Sequence, residues 1–485
     1  MQARGCYQTT NMKNKTFDII IIGAGSGGLN IAVFANRIGL STLLIDKSDK
    51  NIGGDCLNFG CVPSKALIHI ARAIQAGRNL EKFGLETTGT IDPRAVMAYV
   101  KSRQDIIREH ENADWFRKSG ISVALGEAKF TGSNKVMVGD TEYESKRIVL
   151  ATGSRPRALS LSGIEHTQIF NNESIFDIDF LPQNLVIIGG GPIGIEIGQA
   201  FQRLGSQVTI LERGEKFLPK EDKDITDILY KRLVGEGMNV LFRAQAKNIR
   251  ESGELVVEVD GHEQLLPAEA LFVGIGRQLN IEGLDLDKAN IELEESGQKL
   301  KVDQYLRTTN KNIVVCGDVA GQYQFTHAAE LHAGVIIRNW FSPFKKKLSN
   351  DNLSWVTYTD PEIATFGISA DELKKRGIFY ETIAESFSHD DRAITDDYRD
   401  GLLKINISKK GKILGGTMIA PHAGELVQEL IFAQTHDMSL SDIFAKIYPY
   451  PTAARINKRT AQNYQGRKLD PRSKKLLHML FRIFG

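Results

Sequence analysis

The sequence predicts an α/β protein with two dinucleotide-binding units on parallel sheets and a separate α+β unit towards the C-terminus. Three observations predict this. A glycine-rich turn between an apolar strand and a helix occurs twice. Each copy is followed by an acid 23 residues after its first glycine, and beyond residue 350 short strand patterns alternate with helical ones.

Residues 1–16 are polar and lack the apolar core of a signal peptide, so they are expected to form a disordered leader, with Met12 a second candidate start. The first fingerprint follows. Asp18-Ile-Ile-Ile-Ile-Gly23 reads as a buried strand, Gly23-Ala24-Gly25-Ser26-Gly27-Gly28 as the turn, and residues 42–45 as the next strand, which ends on Asp46 and Lys47. Gly23 permits the turn and Gly25 lets a pyrophosphate approach the backbone. Gly28 lets helix and strand pack closely, and the helix N-terminus faces the phosphates. Asp46 is placed to accept hydrogen bonds from a ribose hydroxyl.

The same grammar returns in the second copy. Strand 185–188 leads into Gly189-Gly190-Gly191-Pro192-Ile193-Gly194, and strand 208–211 closes on Glu212 and Arg213. Gly189, Gly191 and Gly194 take the three places of the motif. One such turn is weak evidence, but two with equal offsets to an acid identify Rossmann-type units. Ala151-Thr152-Gly153-Ser154-Arg155-Pro156 follows strand 147–150 and reads as a break between units, and residues 312–317 form a third buried strand ending at Gly317-Asp318. A basic stretch, 345–352, reads as a linker. Strands 355–359, 402–407 and 413–419 then belong to the α+β unit.

Cys56-Leu-Asn-Phe-Gly-Cys61 lies ten residues beyond the first fingerprint. Two thiols five positions apart suggest a redox pair fed by a bound cofactor. An ideal helix holds such positions roughly 8–9 Å apart, whereas a disulfide needs Cα atoms within about 7 Å. The helix must therefore break there, and Gly60 is where it can. The alternatives are two structural cysteines or half of a zinc site. Zinc is disfavoured because Cys6 and Cys316 are isolated.

The 485 residues suffice for two to four cored domains, and 42% hydrophobic with 25% charged residues is ordinary for a soluble protein. A net charge of +2 gives no reason to expect nucleic acid as a partner, and four cysteines suit a reducing, cytoplasmic compartment.

From residue 17 to about 465 the chain resembles the flavin-dependent pyridine nucleotide–disulfide oxidoreductases, a family that includes dihydrolipoyl dehydrogenase, glutathione reductase and mercuric reductase. The residues that carry the likeness are Gly53-Gly54-Asp55-Cys56-Leu-Asn-Phe-Gly-Cys61-Val-Pro-Ser-Lys65, Ala151-Thr152-Gly153, Gly274-Ile-Gly276-Arg277, Cys316-Gly317-Asp318 and Tyr358-Thr-Asp-Pro361-Glu362. The resemblance implies an FAD-binding domain in two parts, 17–160 and 286–350, an NAD(P)-binding domain, 161–285, and a dimerisation domain, 351–465, which completes each active site in a homodimer. It places FAD at the first fingerprint and the nicotinamide nucleotide at the second. Asp318 would bind the ribityl chain, and Thr326-His327-Ala328 would lie along the flavin. Hydride would pass from nicotinamide to flavin and electrons on to a Cys56–Cys61 disulfide, with Cys61 beside the flavin and Cys56 attacking the substrate. Lys65 would lie near the flavin and pair with Glu196.

The sequence departs from the disulfide-reducing members at the C-terminal end. They carry a histidine and, five residues on, a glutamate; here Tyr450 and Arg455 take those places. A phenol against an imidazole is a gap of about 3.5 pKa units, or roughly 4–5 kcal/mol of lost driving force for a neutral-pH base. His422 and His436 match no family base. Mercuric reductase also carries tyrosine there, and a soft metal ion held by thiolates needs no proton delivered to a leaving thiol. The cysteine pair that mercuric reductases carry at the C-terminus is missing from Leu480-Phe-Arg-Ile-Phe-Gly485, and Cys6 stands alone at the other end. The expected function is an NAD(P)H oxidoreductase of a small acceptor, a metal ion or quinone, with Tyr450 a candidate catalytic residue. The alternatives are dihydrolipoyl dehydrogenase or another disulfide reductase, and a non-turnover redox sensor or membrane-docked partner. Glu212 would repel a 2′-phosphate and favours NADH, while Arg213 matches an arginine of NADPH-using relatives.

Residues 466–485 form a basic, amphipathic tail. Lys474, Lys475, His478 and Arg482 are interleaved with leucine, isoleucine and phenylalanine over 472–484, so peripheral contact with an anionic membrane face is expected beside the alternative of docking on the protein or its dimer mate.

Overall fold

The computed structural model describes residues 16–485, so all of the expected leader except Thr16 lies outside the described residues. The first apolar strand becomes the centre of a five-stranded parallel sheet, ordered Ile313–Val315, Ile148–Leu150, Ile19–Ile22, Thr42–Asp46 and Ser122–Leu125. Its middle strands are buried along their length, as continuous Ile, Leu and Val runs require when both faces are covered. Ser26–Arg37 leaves the first glycine turn and packs against Thr326–Phe341. A small sheet of Ala128–Gly132, Lys135–Val138 and Thr141–Ser145 is extended by Thr16–Phe17.

A second parallel sheet is ordered Gln168–Phe170, Ala270–Val273, Asn184–Ile188, Gln207–Leu211 and Asn239–Leu241. An antiparallel three-stranded sheet, Ala244–Ile249, Glu254–Val259 and His262–Pro267, is inserted into it. The chain passes between the two parallel sheets twice, and the passages pair as a short antiparallel ribbon, Ser154–Pro156 with Arg277–Leu279.

The C-terminal unit is a five-stranded antiparallel sheet ordered Ser354–Thr357, Glu362–Gly367, Ile413–Ala420, Leu402–Ile407 and Glu381–Ser386. The strand expected at 355–359 stops at Thr357. Beyond it the backbone bonds to side chains of other elements: the Tyr358 amide donates to Glu196, Arg72 donates to the Thr359 carbonyl, and the Asp360 amide donates to Gln199.

One apolar core joins the units. Ala66, Leu67 and Ala71 of helix Cys61–Asn79 meet Ile195 of Pro192–Leu204, with Ile363 and Ile419 of the C-terminal sheet in the same cluster. Arg203 clamps its edge. Only 3% of its side chain is exposed, and it pairs with Glu236 at 2.6 Å and Asp360 at 2.9 Å.

Candidate active site

The two glycine turns are built alike. In the first, the Ala24 and Lys47 amides donate to the Asp46 carboxylate, each at 2.7 Å. In the second, the Gly190 amide donates to Glu212 at 2.9 Å and the Gly214 amide at 2.7 Å. Each acid therefore closes its own turn at the strand end, and burial pushes the Asp46 carboxyl up. A methyl at Gly28 would strike the Gly23 carbonyl oxygen, and one at Gly194 would strike that of Gly189, so helix rests on turn in both copies. Gly191 and Gly153 face open space, where an added methyl would meet no atom within 4 Å. Lys47 leans to Glu127 at 3.7 Å, and Arg213 is exposed.

The cysteine loop lies directly on the first turn. Gly54, at φ 62°, approaches Gly25 so closely that a methyl would stand 2.6 Å from its Cα. Helix Gly54–Asn58 breaks at Phe59 and Gly60 and restarts as Cys61–Asn79. A side chain at Gly60 would meet the Asp55 carbonyl at 2.9 Å and its carboxylate at 3.0 Å, so the break expected there needs glycine for closeness. Both cysteines are free thiols, Cys56 half-buried and Cys61 exposed.

The two thiols are unequal. The Cys56 thiol donates to Cys61 and, against the opposing effect of burial, this bond together with Thr326 and the Lys65 charge pulls Cys61 down to about 6. Cys56 moves up, first because its proton is held in that bond and then because it is buried. Thr326 Oγ1 lies 3.5 Å from Cys61 Sγ, at the start of Thr326–Phe341, with Ala328 buried behind it. His327 Nε2 lies 2.5 Å from the Ser354 carbonyl, and its ring stacks on Phe325.

Lys65 is one turn along the helix from Cys61. Its ammonium donates to Glu196 at 2.8 Å and stands 4.4 Å from the centre of the Tyr358 ring. Burial alone would lower the Lys65 pKa; the Glu196 carboxylate outweighs it, so the pKa rises and the charge is kept. Glu196 also accepts the Tyr358 amide at 2.8 Å, which fixes both partners.

On the other side of the loop, Arg277 bonds Asp55 at 3.0 Å, the Ser154 hydroxyl at 2.7 Å and the Ser154 carbonyl at 2.9 Å. Ser154 in turn donates to Asp318 at 2.6 Å, and burial raises the Asp318 carboxyl. Gly276 and Gly317 supply the positive φ values of 106° and 78° that these two approaches use. Ala151, Thr152 and Gly153 lie beside them, and Thr152 Oγ1 is buried with no hydrogen-bond partner. Asn172, also buried, donates to Asp55 at 3.1 Å and is a contact that sequence reasoning missed.

Tyr450 is exposed, at the rim of a cavity of about 220 Å³ lined also by Asp391, Arg392, Arg455, Arg459 and Asn463. Its hydroxyl donates to Asp391 at 3.1 Å, and that carboxylate raises its pKa. The Arg455 guanidinium lies 5.2 Å from the ring centre, and its opposing pull on the pKa is the lesser one. Tyr450 is therefore a neutral phenol. Asp391 escaped the sequence reading because its 59-residue separation from Tyr450 leaves no local signal. His422 and His436 are exposed.

Residues 17–333 match the family model described as pyridine nucleotide-disulphide oxidoreductase, and residues 353–460 match that family's dimerisation domain. A mercuric reductase from Bacillus cereus is 30% identical over 91% of this chain and 70% of its own length. A dihydrolipoyl dehydrogenase from Chlamydia muridarum is 31% identical over 91% of this chain and 96% of its own. Among solved structures, the HOCl-induced flavoprotein disulfide reductase RclA from Escherichia coli, in a Cu(II) complex, superposes with a TM-score of 0.80 at 24% identity, covering 92% of this chain and 99% of its own. LpdA from Mycobacterium tuberculosis gives 0.83 at 23% identity, over 92% and 99%.

Proposed function

This chain belongs to the pyridine nucleotide-disulphide oxidoreductase family, FAD-dependent enzymes that use NAD(P)H, and from that membership we propose that it reduces a small acceptor, foremost a soft metal ion and next a quinone, through Cys61 and Cys56. The matched dimerisation domain supports a homodimer. The residues at the first turn fit FAD: Thr152 Oγ1 is an unpaired buried hydroxyl beside open backbone at Gly153, and the Ala24 turn opens onto the cysteine loop. Ala24-Gly25, Asp46, Thr152 and Asp318 would hold it, and the second turn with Glu212 would hold the nicotinamide nucleotide. When bound, these groups supply hydride and two-electron transfer.

The chain's own residues prepare the sulfurs. Two electrons and one proton convert a Cys56–Cys61 disulfide to the Cys56 thiol and the Cys61 thiolate, and an acceptor taking the two electrons restores the disulfide while the proton returns to solvent. Cys61, lowered to about 6, is largely thiolate at neutral pH, and Thr326 and Lys65 stabilise that anion. Glu196 and Tyr358 keep the lysine charged and aimed. Cys56 keeps the proton and offers the outer sulfur.

The observation that carries the choice of acceptor is the Tyr450–Asp391 bond. A phenol already donating to a carboxylate cannot take a proton from a dithiol substrate at neutral pH, and Arg455 does not make it a phenolate. A soft metal ion held by the two sulfurs takes electrons without proton delivery and escapes this limit, and thiolates are the ligands such ions prefer. A quinone, which needs two protons for its two electrons, would draw them from solvent. Glu212, which accepts the Gly190 and Gly214 amides and among the described residues has no cation paired with it, favours NADH.

The test is turnover of the purified flavoprotein with NADH or NADPH against Hg(II), Cu(II), a water-soluble quinone, lipoamide and glutathione disulfide. Metal or quinone turnover at least 100-fold above lipoamide is expected. Tyr450→His with Arg455→Glu should raise lipoamide turnover by about 100-fold and leave the metal or quinone rate within a few-fold. Fast lipoamide reduction by the unaltered protein would establish the dihydrolipoyl dehydrogenase reading instead, which the 96% coverage of such a relative favours.

A further inference from the structure

Helix Pro471–Phe484 has no buried residue. Asp470 caps it, accepting the Ser473 amide at 2.7 Å. Among the described residues no hydrogen bond or ion pair joins the helix beyond that cap to the rest of the chain. Its sequence divides it sharply. Lys474, His478 and Arg482, at steps of four, form with Lys475 one basic stripe that holds three fixed cations, Lys474, Lys475 and Arg482. Leu476, Leu477, Met479, Leu480, Ile483 and Phe484, with Phe481, fill an arc of roughly 200° around the rest. Phe481 is 74% exposed and Phe484 83%. No acid occurs from 471 to 485, and the segment 466–485 holds six lysines and arginines against Asp470, a net +5 where the whole chain carries +2.

We propose that this helix docks the enzyme on the surface of an anionic lipid bilayer, lying in the plane of the headgroups with its apolar arc inward and its cationic stripe at the phosphates. The charge decides the partner: three fixed cations on one face, Lys474, Lys475 and Arg482, with no acid among them, match a surface that is negative throughout. The breadth of the arc favours a bilayer over a groove on a protein, because a helix docked on a protein core presents an apolar stripe from about 100° wide, half of this one. A bilayer covers the whole arc at once. Among the described residues no helix is long and apolar enough to cross a membrane, so the contact is peripheral. The inference stands independently of which acceptor is reduced.

The test is flotation of the full-length holoprotein with vesicles of phosphatidylcholine alone or of phosphatidylcholine and phosphatidylglycerol in equal parts. Expected is binding to the anionic vesicles, loss of it at high salt, and little binding to the neutral ones. Lys474→Gln with Lys475→Gln should weaken the partition about 30-fold at low salt, and Leu480→Glu with Phe484→Glu should abolish it. Both variants should keep the dimer mass in solution and the rate of NADH oxidation with a soluble acceptor, which separates failure of docking from failure of the acceptor reading. Absent or equal binding to both vesicle types would overturn the proposal. So would binding that survives the glutamate pair, or dissociation of the dimer by that pair, which would make the face a subunit contact.

Discussion

Replacing Thr326 with valine keeps its shape and removes one hydrogen bond from the Cys61 sulfur. That bond is 3.5 Å long and partly open to water. A hydrogen bond to a charged group contributes about 1.5–3 kcal/mol, and this geometry places it at or just under the low end, close to 1.4 kcal/mol or one pKa unit. Cys61 should therefore move from about 6 to about one unit higher. At pH 6 the thiolate fraction then falls from about half to about a tenth, and alkylation slows about 5-fold. Rates at pH 9 stay equal, because both proteins are then ionised. The assay is iodoacetamide alkylation of the reduced holoprotein across pH, resolved at Cys56 and Cys61 by tandem mass spectrometry. An unchanged profile would refute the role assigned to the hydroxyl. Equal slowing at every pH would refute it too, since that signals altered access and not altered ionisation.

Two further outcomes concern stability. His332 is 1% exposed and is pushed by burial to about 4, below an unfolded value near 6.5. A depressed histidine contributes stability that is present above the unfolded pKa and lost as pH falls towards the folded one. About 3 kcal/mol should disappear between pH 6.5 and 4, and His332→Gln should flatten that part of a denaturation profile; a profile of unchanged slope would contradict it. Arg203→Met leaves Glu236 and Asp360 without their shared partner and should cost about 3–5 kcal/mol, read as an earlier unfolding transition. A change within the error of the melt would show that the clamp contributes nothing net.

The elements legible in the sequence were those whose signal is local. An Ile or Val run, a glycine turn and an acid at a fixed offset marked both parallel sheets, and these are the strands Ile19–Ile22 and Asn184–Ile188 at their centres. The ribbon of Ser154–Pro156 with Arg277–Leu279 was not legible, because two polar three-residue strands find each other only through the fold. The site divides the same way. Cys56 and Cys61 announce themselves by spacing, and Lys65 and Glu196 came by resemblance. The carboxylate that holds Tyr450, the ring over Lys65 and the amide of Asn172 on Asp55 are tertiary neighbours, and no periodicity encodes them. Asp391 mattered most, since it settles which of the phenol's two charged neighbours governs its proton.

Asp46 and Glu212 each brace their own glycine loop, so in the proposed reading the side chain that would contact the cofactor ribose also holds the loop together. Re-engineering the enzyme toward a phosphorylated nicotinamide by neutralising Glu212 would strip two amides of their acceptor at the same stroke. A successful redesign must therefore bring a substitute brace together with the new cation.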